Sequence, residues 1–427
     1  MKTGSKLVER QYLLPFILVT SLFALWGFAN DITNPMVAGF QTIMELSAAK
    51  ASLIQFAFYG GYATMAVPAA LFIRRFSYKK GILLGLALYA VGAFLFIPAA
   101  ARESFTFFCL SLYILTFGLA FLETTANPYI LSLGSKETST RRLNLSQSFN
   151  PLGSLTGMAV ASWVVLPSLL SDQHRDEAGV NHFAELDAAT KAAERTHDLH
   201  CITSAYVALG IAVVVVFIII ALAKMPKTAG SGVKVQGTMG RLWRNVDYRE
   251  GVLAQMFYVG AQIMVWTFII QYADNLGIDK ATAQKYNIIA MCMFLCFRFL
   301  ATFLMKYVSS RRLLWIFGCG AALCTLGAIV LVGPLGLGCL VAISAFMSLM
   351  FPTIYGIALE NVSAEDSTLG AAFLVMAIVG GSILPPLQGS IIDLDTVCGH
   401  PAVNVSFALP LFCFLMIIIY GLRRCRQ

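Results

Sequence analysis

Charge is what this chain has least of. Only 12% of its 427 residues are charged while 58% are hydrophobic, and the mean hydropathy is +0.76. A soluble globular chain is about a quarter charged. This one is too sparsely charged to solvate a globule, so its solvent is lipid. Histidine is also scarce. His174, His182, His197, His200 and His400 are the full set of five, and all fall on the outer side in the topology derived below. With none left in the membrane to relay protons, that task passes to carboxylates. The ten cysteines include no CxxC pair. Cys292 and Cys296, one turn apart among Met291, Met293 and Phe294, read as helix packing rather than metal ligation. There is no nucleotide-binding loop, no histidine-based metal site, no nucleophile triad and no soluble domain beyond two loops. "GCGAALCTLGAIVLVGPLGLG" is glycine-rich, but it lies in an apolar span with no strand before it, which suits close helix packing. These absences weigh against a membrane enzyme or sensor, and neither a cofactor nor a metal is expected.

What the chain has is apolar runs of the length a helix needs, about 20 residues, to cross a bilayer of about 30 Å. Twelve are read, at 12–40, 48–72, 81–101, 105–131, 143–169, 201–224, 250–273, 283–306, 313–333, 336–359, 368–392 and 402–422. The first has no small-residue cleavage site and many similar runs follow it, so it reads as a retained span and not a signal peptide. The outer loop "SDQHRDEAGVNHFAELDAATKAAERTHDLH" is acidic, and its 181–198 portion is expected as a short surface helix.

Lysine and arginine set the orientation. With both termini in the cytoplasm, 22 of the 30 basic residues lie inside, among them Arg74, Arg75, Lys79 and Lys80, Lys136, Arg141 and Arg142, and Arg423, Arg424 and Arg426. Seven lie outside, and Arg298 lies within a span. The net charge of +8 is therefore a topology signal with a modest affinity for anionic lipid, and nucleic acid is not needed to explain it. Cys201 and Cys398 fall near the outer face and could pair if that face is oxidising.

The long basic loop after span six divides the chain into halves, 1–225 and 249–427, joined by a linker at 226–248. "RRFSYKK" (Arg74–Lys80) after span two and "KYVSSRR" (Lys306–Arg312) after span eight place basic pairs alike, a weak echo of duplication. This arrangement of two parallel six-helix halves resembles the major facilitator superfamily. That family's motif after the second span is degenerate here: Ala70 and Ser77 stand where it usually has glycine, and Arg74 where it usually has the acid.

Three strongly charged residues lie well within spans: Asp31, Glu123 and Arg298. A charge at the centre of a membrane helix costs roughly 2.5–3.5 kcal/mol on insertion scales. Each is either a packing partner for a neighbour or part of the lining of a wet cavity. Helical spacing favours the cavity for the acids. Asn30, Asp31 and Asn34 share a polar sector of span one. Glu123 and Asn127 are spaced i, i+4 in "FLETTANPY", where Pro128 is expected to mark a break. Asn144, Gln147 and Ser148 share a side of "RRLNLSQSFNP", with Asn150 at its margin. Tyr258, Gln262 and Trp266 follow at i, i+4 steps in span seven, with Gln271 beyond, and span eight adds Tyr286 and Asn287. Carboxamides bond hydroxyl groups in both directions, and aromatic rings cover the apolar face of a sugar, so the set suits a polyhydroxylated ligand. Trp26 is either another such platform or an interfacial-belt residue.

In order and spacing, "SLFALWGFANDITNP", "LIQFAFYGGY", "RRFSYKKG", "FLETTANPY", "RRLNLSQSFNPLG", "FYVGAQIMVWTFIIQYA" and "AFLVMAIVGGSILPP" are similar to the bacterial L-fucose–proton symporter family, over nearly the whole chain. The resemblance implies an all-α integral membrane protein of twelve transmembrane helices in two six-helix halves, with the major facilitator fold. It implies a multi-pass protein of the inner membrane, expected as a monomer, whose partners are a small sugar, protons and membrane lipid. Glu123 matches the family's acid in span four, and Gln147 and Asn150 match its cavity residues. Tyr258, Gln262 and Trp266 match its "YVGAQ---W" block, and Arg298 matches an arginine of span eight, as a structural or cavity charge. The first span departs from the pattern: the family's acid stands where this chain has Asn34, and the acid here is Asp31, one turn earlier. Proton coupling is thus expected of Glu123 and Asp31. Sugar binding is expected of Trp26, Asn30, Asn34, Asn127, Gln147, Asn150, Tyr258, Gln262 and Trp266. Glucose or galactose transport is the nearest alternative. A cation-coupled facilitator is a further one, since Asn30, Asp31 and Asn34 offer oxygen ligands.

Overall fold

The structure, a computed structural model, describes residues 7–46, 53–174, 181–226, 237–278, 280–331, 333–394, 396–397 and 399–426. Among them, eleven helices are long and apolar enough to cross a membrane: Arg10–Ile32, Tyr78–Ala101, Phe105–Ser132, Lys136–Ser168, Ala188–Leu222, Val246–Ala273, Thr282–Leu304, Ser310–Val330, Pro334–Glu360, Ser367–Ile392 and Ala402–Cys425. The helix Leu53–Arg75, of 23 residues and about 34 Å at 1.5 Å per residue, completes the twelve. Cys398 lies outside the described residues, so its pairing with Cys201 is not part of the structure described.

Three local expectations are corrected. The surface helix at 181–198 and span six are one helix, Ala188–Leu222, 35 residues long. Asp187 caps it by accepting from the amides of Ala189 and Thr190 at 3.1 and 3.0 Å. From there Ala, Lys, Glu and Arg, all good helix formers, continue into the apolar run with no proline to stop them. Pro128 does not break span four, which is helical from Phe105 to Ser132. Membrane helices tolerate proline where neighbours meet the freed backbone group. Conversely, spans five and ten are interrupted. Span five runs Ser139–Gln147 and then Phe149–Val160, closing in a π turn at Ala161–Val165. Span ten runs Pro334–Met347 and Met350–Glu360.

Two compact units emerge from the contacts: Leu14–Ala126 with Phe149–Lys227, and Met1–Leu13, Asn127–Ser148 and Thr228–Gln427. The sequence repeat suggests a division at the central linker, whereas contacts group 127–148 with the later spans. The reason is local. Asn144 Nδ2 donates to Thr353 Oγ1 at 3.1 Å, and Arg141 Nε donates to the Thr302 carbonyl at 3.2 Å.

In the first unit, spans one and five meet backbone to backbone. A Cβ on Gly153 would lie 1.9 Å from the Ala24 carbonyl oxygen, and one on Gly27 would lie 2.2 Å from that of Asn150. Only glycine allows this approach, and it fixes the height of Trp26 and Asn30 against Asn150. The N-terminal extension of span six holds Glu45 through Lys191 and Arg195 at 3.0 and 2.9 Å.

In the second unit, the helix ends that carry the basic clusters are tied by charge. Arg424, only 4% exposed, pairs with Asp247 and, at 2.6 Å, with Glu250. Arg311, from the basic pair of "KYVSSRR", reaches Glu360 at 3.1 Å. Arg241 grips Asp366 with two bonds of 2.6 and 2.7 Å, and those bonds hold the Asp366 carboxyl below its ordinary range.

Candidate functional site

In the first unit, Trp26 is buried at 4% exposure, its ring centroid 4.2 Å from that of Phe23. Asn150 Nδ2 donates to the Phe23 carbonyl at 3.2 Å, so the Trp26 turn and span five are pinned together. Asn30 and Asp31 are half-buried. Asn30 Oδ1 is out of solvent and has no hydrogen-bond partner among the described residues. The side chain of Asn34 lies outside the described residues, as do all side chains from 33 to 39. Glu123 is 7% exposed, a carboxylate deep in a membrane helix.

In the second unit, Asn127, Gln147, Arg298 and Trp266 form one connected group. Gln147 Nε2 donates to Asn127 Oδ1 at 2.9 Å, and the two are 5% and 0% exposed. Arg298, 3% exposed, donates from Nη1 to the Gln147 carbonyl at 2.9 Å and from Nε to the Ser348 carbonyl at 2.6 Å. Its guanidinium lies 4.8 Å from the centroid of Phe294, a cation–π contact. Phe294 meets Trp266 edge-on at 5.1 Å, and the Trp266 indole donates to Ser344 Oγ at 3.2 Å. Gln262 is half-buried. Tyr258 is fully buried, and its hydroxyl donates to the Met347 carbonyl at 3.1 Å. Here it braces span seven against span ten.

Sequence reasoning passed over Gln255, which is fully buried with neither amide atom hydrogen-bonded among the described residues. Extending the Tyr258–Gln262–Trp266 stripe one turn back would have found it. Arg142 was also missed, because in a count of basic residues it looks like its neighbour Arg141. It is fully buried and donates to the carbonyls of Ile130, Leu131, Ser135 and Leu7 and to Thr138 Oγ1, at 2.8–3.3 Å. Arg142 thereby closes the end of span four, just beyond Asn127. Replacement by methionine would leave several buried carbonyls unmet and should cost about 3 kcal/mol or more. Lysine should rescue little of this, lacking the planar fork. Thermal unfolding in detergent checks it, and an unchanged melting temperature in Arg142→Met would refute the role.

A cavity of about 770 Å³ opens among spans one, five and six, lined by Leu25, Phe28, Leu152, Val160 and Ala208. The hydroxyls of Ser21, Thr156, Ser168 and Ser204 on its wall each donate to a carbonyl of their own helix. With so little free hydrogen-bonding capacity, it does not suit a polyhydroxylated ligand, and none of the polar candidates lines it.

The profile of the Major Facilitator Superfamily matches residues 19–386. The L-fucose-proton symporter of Haemophilus influenzae is 61% identical over 424 residues, 98% of each chain. The glucose/galactose transporter of Brucella abortus is 29% identical over 97% of this chain and 95% of its own. The crystal structure of FucP, the fucose:proton symporter of E. coli, in the outward conformation, superposes with a TM-score of 0.89 at 32% identity, covering 97% of this chain and 99% of its own. By sequence along nearly its full length and by fold, the chain belongs to the Major Facilitator Superfamily, alongside the L-fucose–proton symporters.

Proposed function

We propose that this protein is a symporter that imports L-fucose together with protons by alternating access. The observation that carries this is 61% identity across 98% of both chains with an L-fucose-proton symporter, against 29% with a glucose/galactose transporter. It works as a monomer in the bacterial inner membrane, with lipid as its solvent and both termini in the cytoplasm. Nucleic acid has no part in its action.

In this reading the carboxamides of Asn30, Asn34, Asn127, Gln147, Asn150 and Gln262 bond the sugar hydroxyls, while the faces of Trp26 and Trp266 and the Tyr258 ring cover its apolar side. Glu123 and Asp31 carry the proton. Such folds bind substrate near mid-membrane and rock their repeats around it. Proton and sugar help each other because each favours the same change of state. That is a coupling free energy shared by both ligands. The burial of Glu123 supports its role, since an ion kept out of water is expensive and a neutral acid is not.

Labelled L-fucose uptake into cells or proteoliposomes should collapse when a protonophore dissipates the gradient. It should survive replacement of sodium by potassium, and excess unlabelled D-glucose or D-galactose should compete weakly. Uptake that follows sodium and ignores pH would overturn the proton assignment. Stronger competition by D-galactose than by L-fucose itself would overturn the sugar.

A further inference from the structure

Arg298 is a charged side chain 97% out of solvent, and the two carbonyls it grips have a common origin. In a helix, the carbonyl of residue i accepts from the amide of residue i+4. For Gln147 that residue is Pro151, and for Ser348 it is Pro352. Proline has no amide hydrogen, so each carbonyl lacks its regular helical donor. Both sit at interruptions, between Ser139–Gln147 and Phe149–Val160 in span five and between Pro334–Met347 and Met350–Glu360 in span ten. Arg298 Nη1 and Nε supply the missing donors at 2.9 and 2.6 Å.

We infer that Pro151 and Pro352 are positioning residues: by freeing one carbonyl in span five and one in span ten, they create the acceptors that hold Arg298, and through it set the placement of Gln147 and Asn127. Need runs both ways. An arginine buried among apolar side chains requires acceptors, and a carbonyl buried without its helical donor requires one. The planar guanidinium, with its five donors in a fixed fork, can serve two carbonyls from different helices at once. The Gln147 residue gripped through its main chain also donates its side chain to Asn127 at 2.9 Å. Arg298 therefore fixes the backbone from which that pair projects. Lysine at 298 would keep the charge but present one point donor group in place of the fork.

The consequence for transport rests on the sugar site proposed above, whereas the anchoring does not, and one experiment separates them. Pro151→Ala, Pro352→Ala, Arg298→Met and their combinations are purified, and melting temperature is read without sugar. Alanine returns an amide to each helix, so in the alanine background the carbonyls no longer depend on Arg298. The losses should not add: Arg298→Met should lower the melting temperature clearly in the native background and by less than half as much when both prolines are replaced. Strictly additive shifts would overturn the anchoring. If one proline variant fails to express, the other still closes its own half of the cycle. L-fucose uptake is then read on the same proteins. Either proline variant should lower turnover by about tenfold, with no further fall when combined with Arg298→Lys. Non-additive melting with unchanged uptake would overturn the positioning of Gln147 and Asn127 for transport, leaving the anchor itself standing.

Discussion

Glu123→Gln should abolish accumulation of L-fucose against a gradient while leaving sugar-for-sugar exchange intact. Glutamine matches the protonated acid in size and hydrogen bonding but has no proton to release. The variant is thus held in the form that a loaded carrier adopts. Exchange uses only loaded forms at both faces and should continue. Net uptake requires the empty carrier to return after proton release, and that step is lost, so internal sugar should fall to the level of passive equilibration. The pH dependence of sugar binding should flatten with it. At 7% exposure Glu123 cannot be treated as a surface acid, and a purely structural role has a different signature: lower yield or stability, with the surviving protein still coupled. Exchange and proton-driven uptake measured side by side in proteoliposomes distinguish the two. Normal accumulation by correctly folded Glu123→Gln would remove it from the coupling step.

Asp31→Asn should impair proton-driven uptake, while Asn34→Asp alone should be better tolerated, because it adds an acid to a face that already holds one. The double exchange, Asp31→Asn with Asn34→Asp, should recover part of the activity. The two positions are three residues apart, about 4.5 Å along the axis and nearly on one face, so an acid at either could meet the same water. The shift is a testable displacement of one turn relative to the resembling family, where the acid stands at the position of Asn34. Uptake rates of the two single variants and the double variant, each normalised to protein in the membrane, decide it. If Asp31→Asn transports at the native rate, Asp31 is structural and the displacement idea fails.

Much of the molecule was already written in one dimension. Twelve apolar runs announce twelve helices because a backbone in hydrocarbon must bond within its own segment, and the length of a run is a local property. Counting lysine and arginine gives the expected orientation, because charge bias is likewise read along the chain. The polar candidates were visible because hydrocarbon makes every Asn, Gln, Asp and Glu in a span conspicuous. What the runs could not reveal was where each polar atom finds its partner. Spacing put Tyr258 on the polar stripe of span seven, but only packing showed that its hydroxyl meets the Met347 carbonyl. Arg142 counted as one more basic residue, and only folding placed it against five acceptors at the end of span four. Pro128 was expected to break its helix and does not, while Pro151 and Pro352 stand beside breaks that periodicity did not signal. A carbonyl that proline leaves without its helical donor needs another, and that donor can lie, as Arg298 does, 151 residues away from Gln147. Hydrophobic length is a sum over neighbours in sequence, so the chain alone determined the spans. Hydrogen-bond partnership is a fact about neighbours in space, and tertiary structure alone decided it.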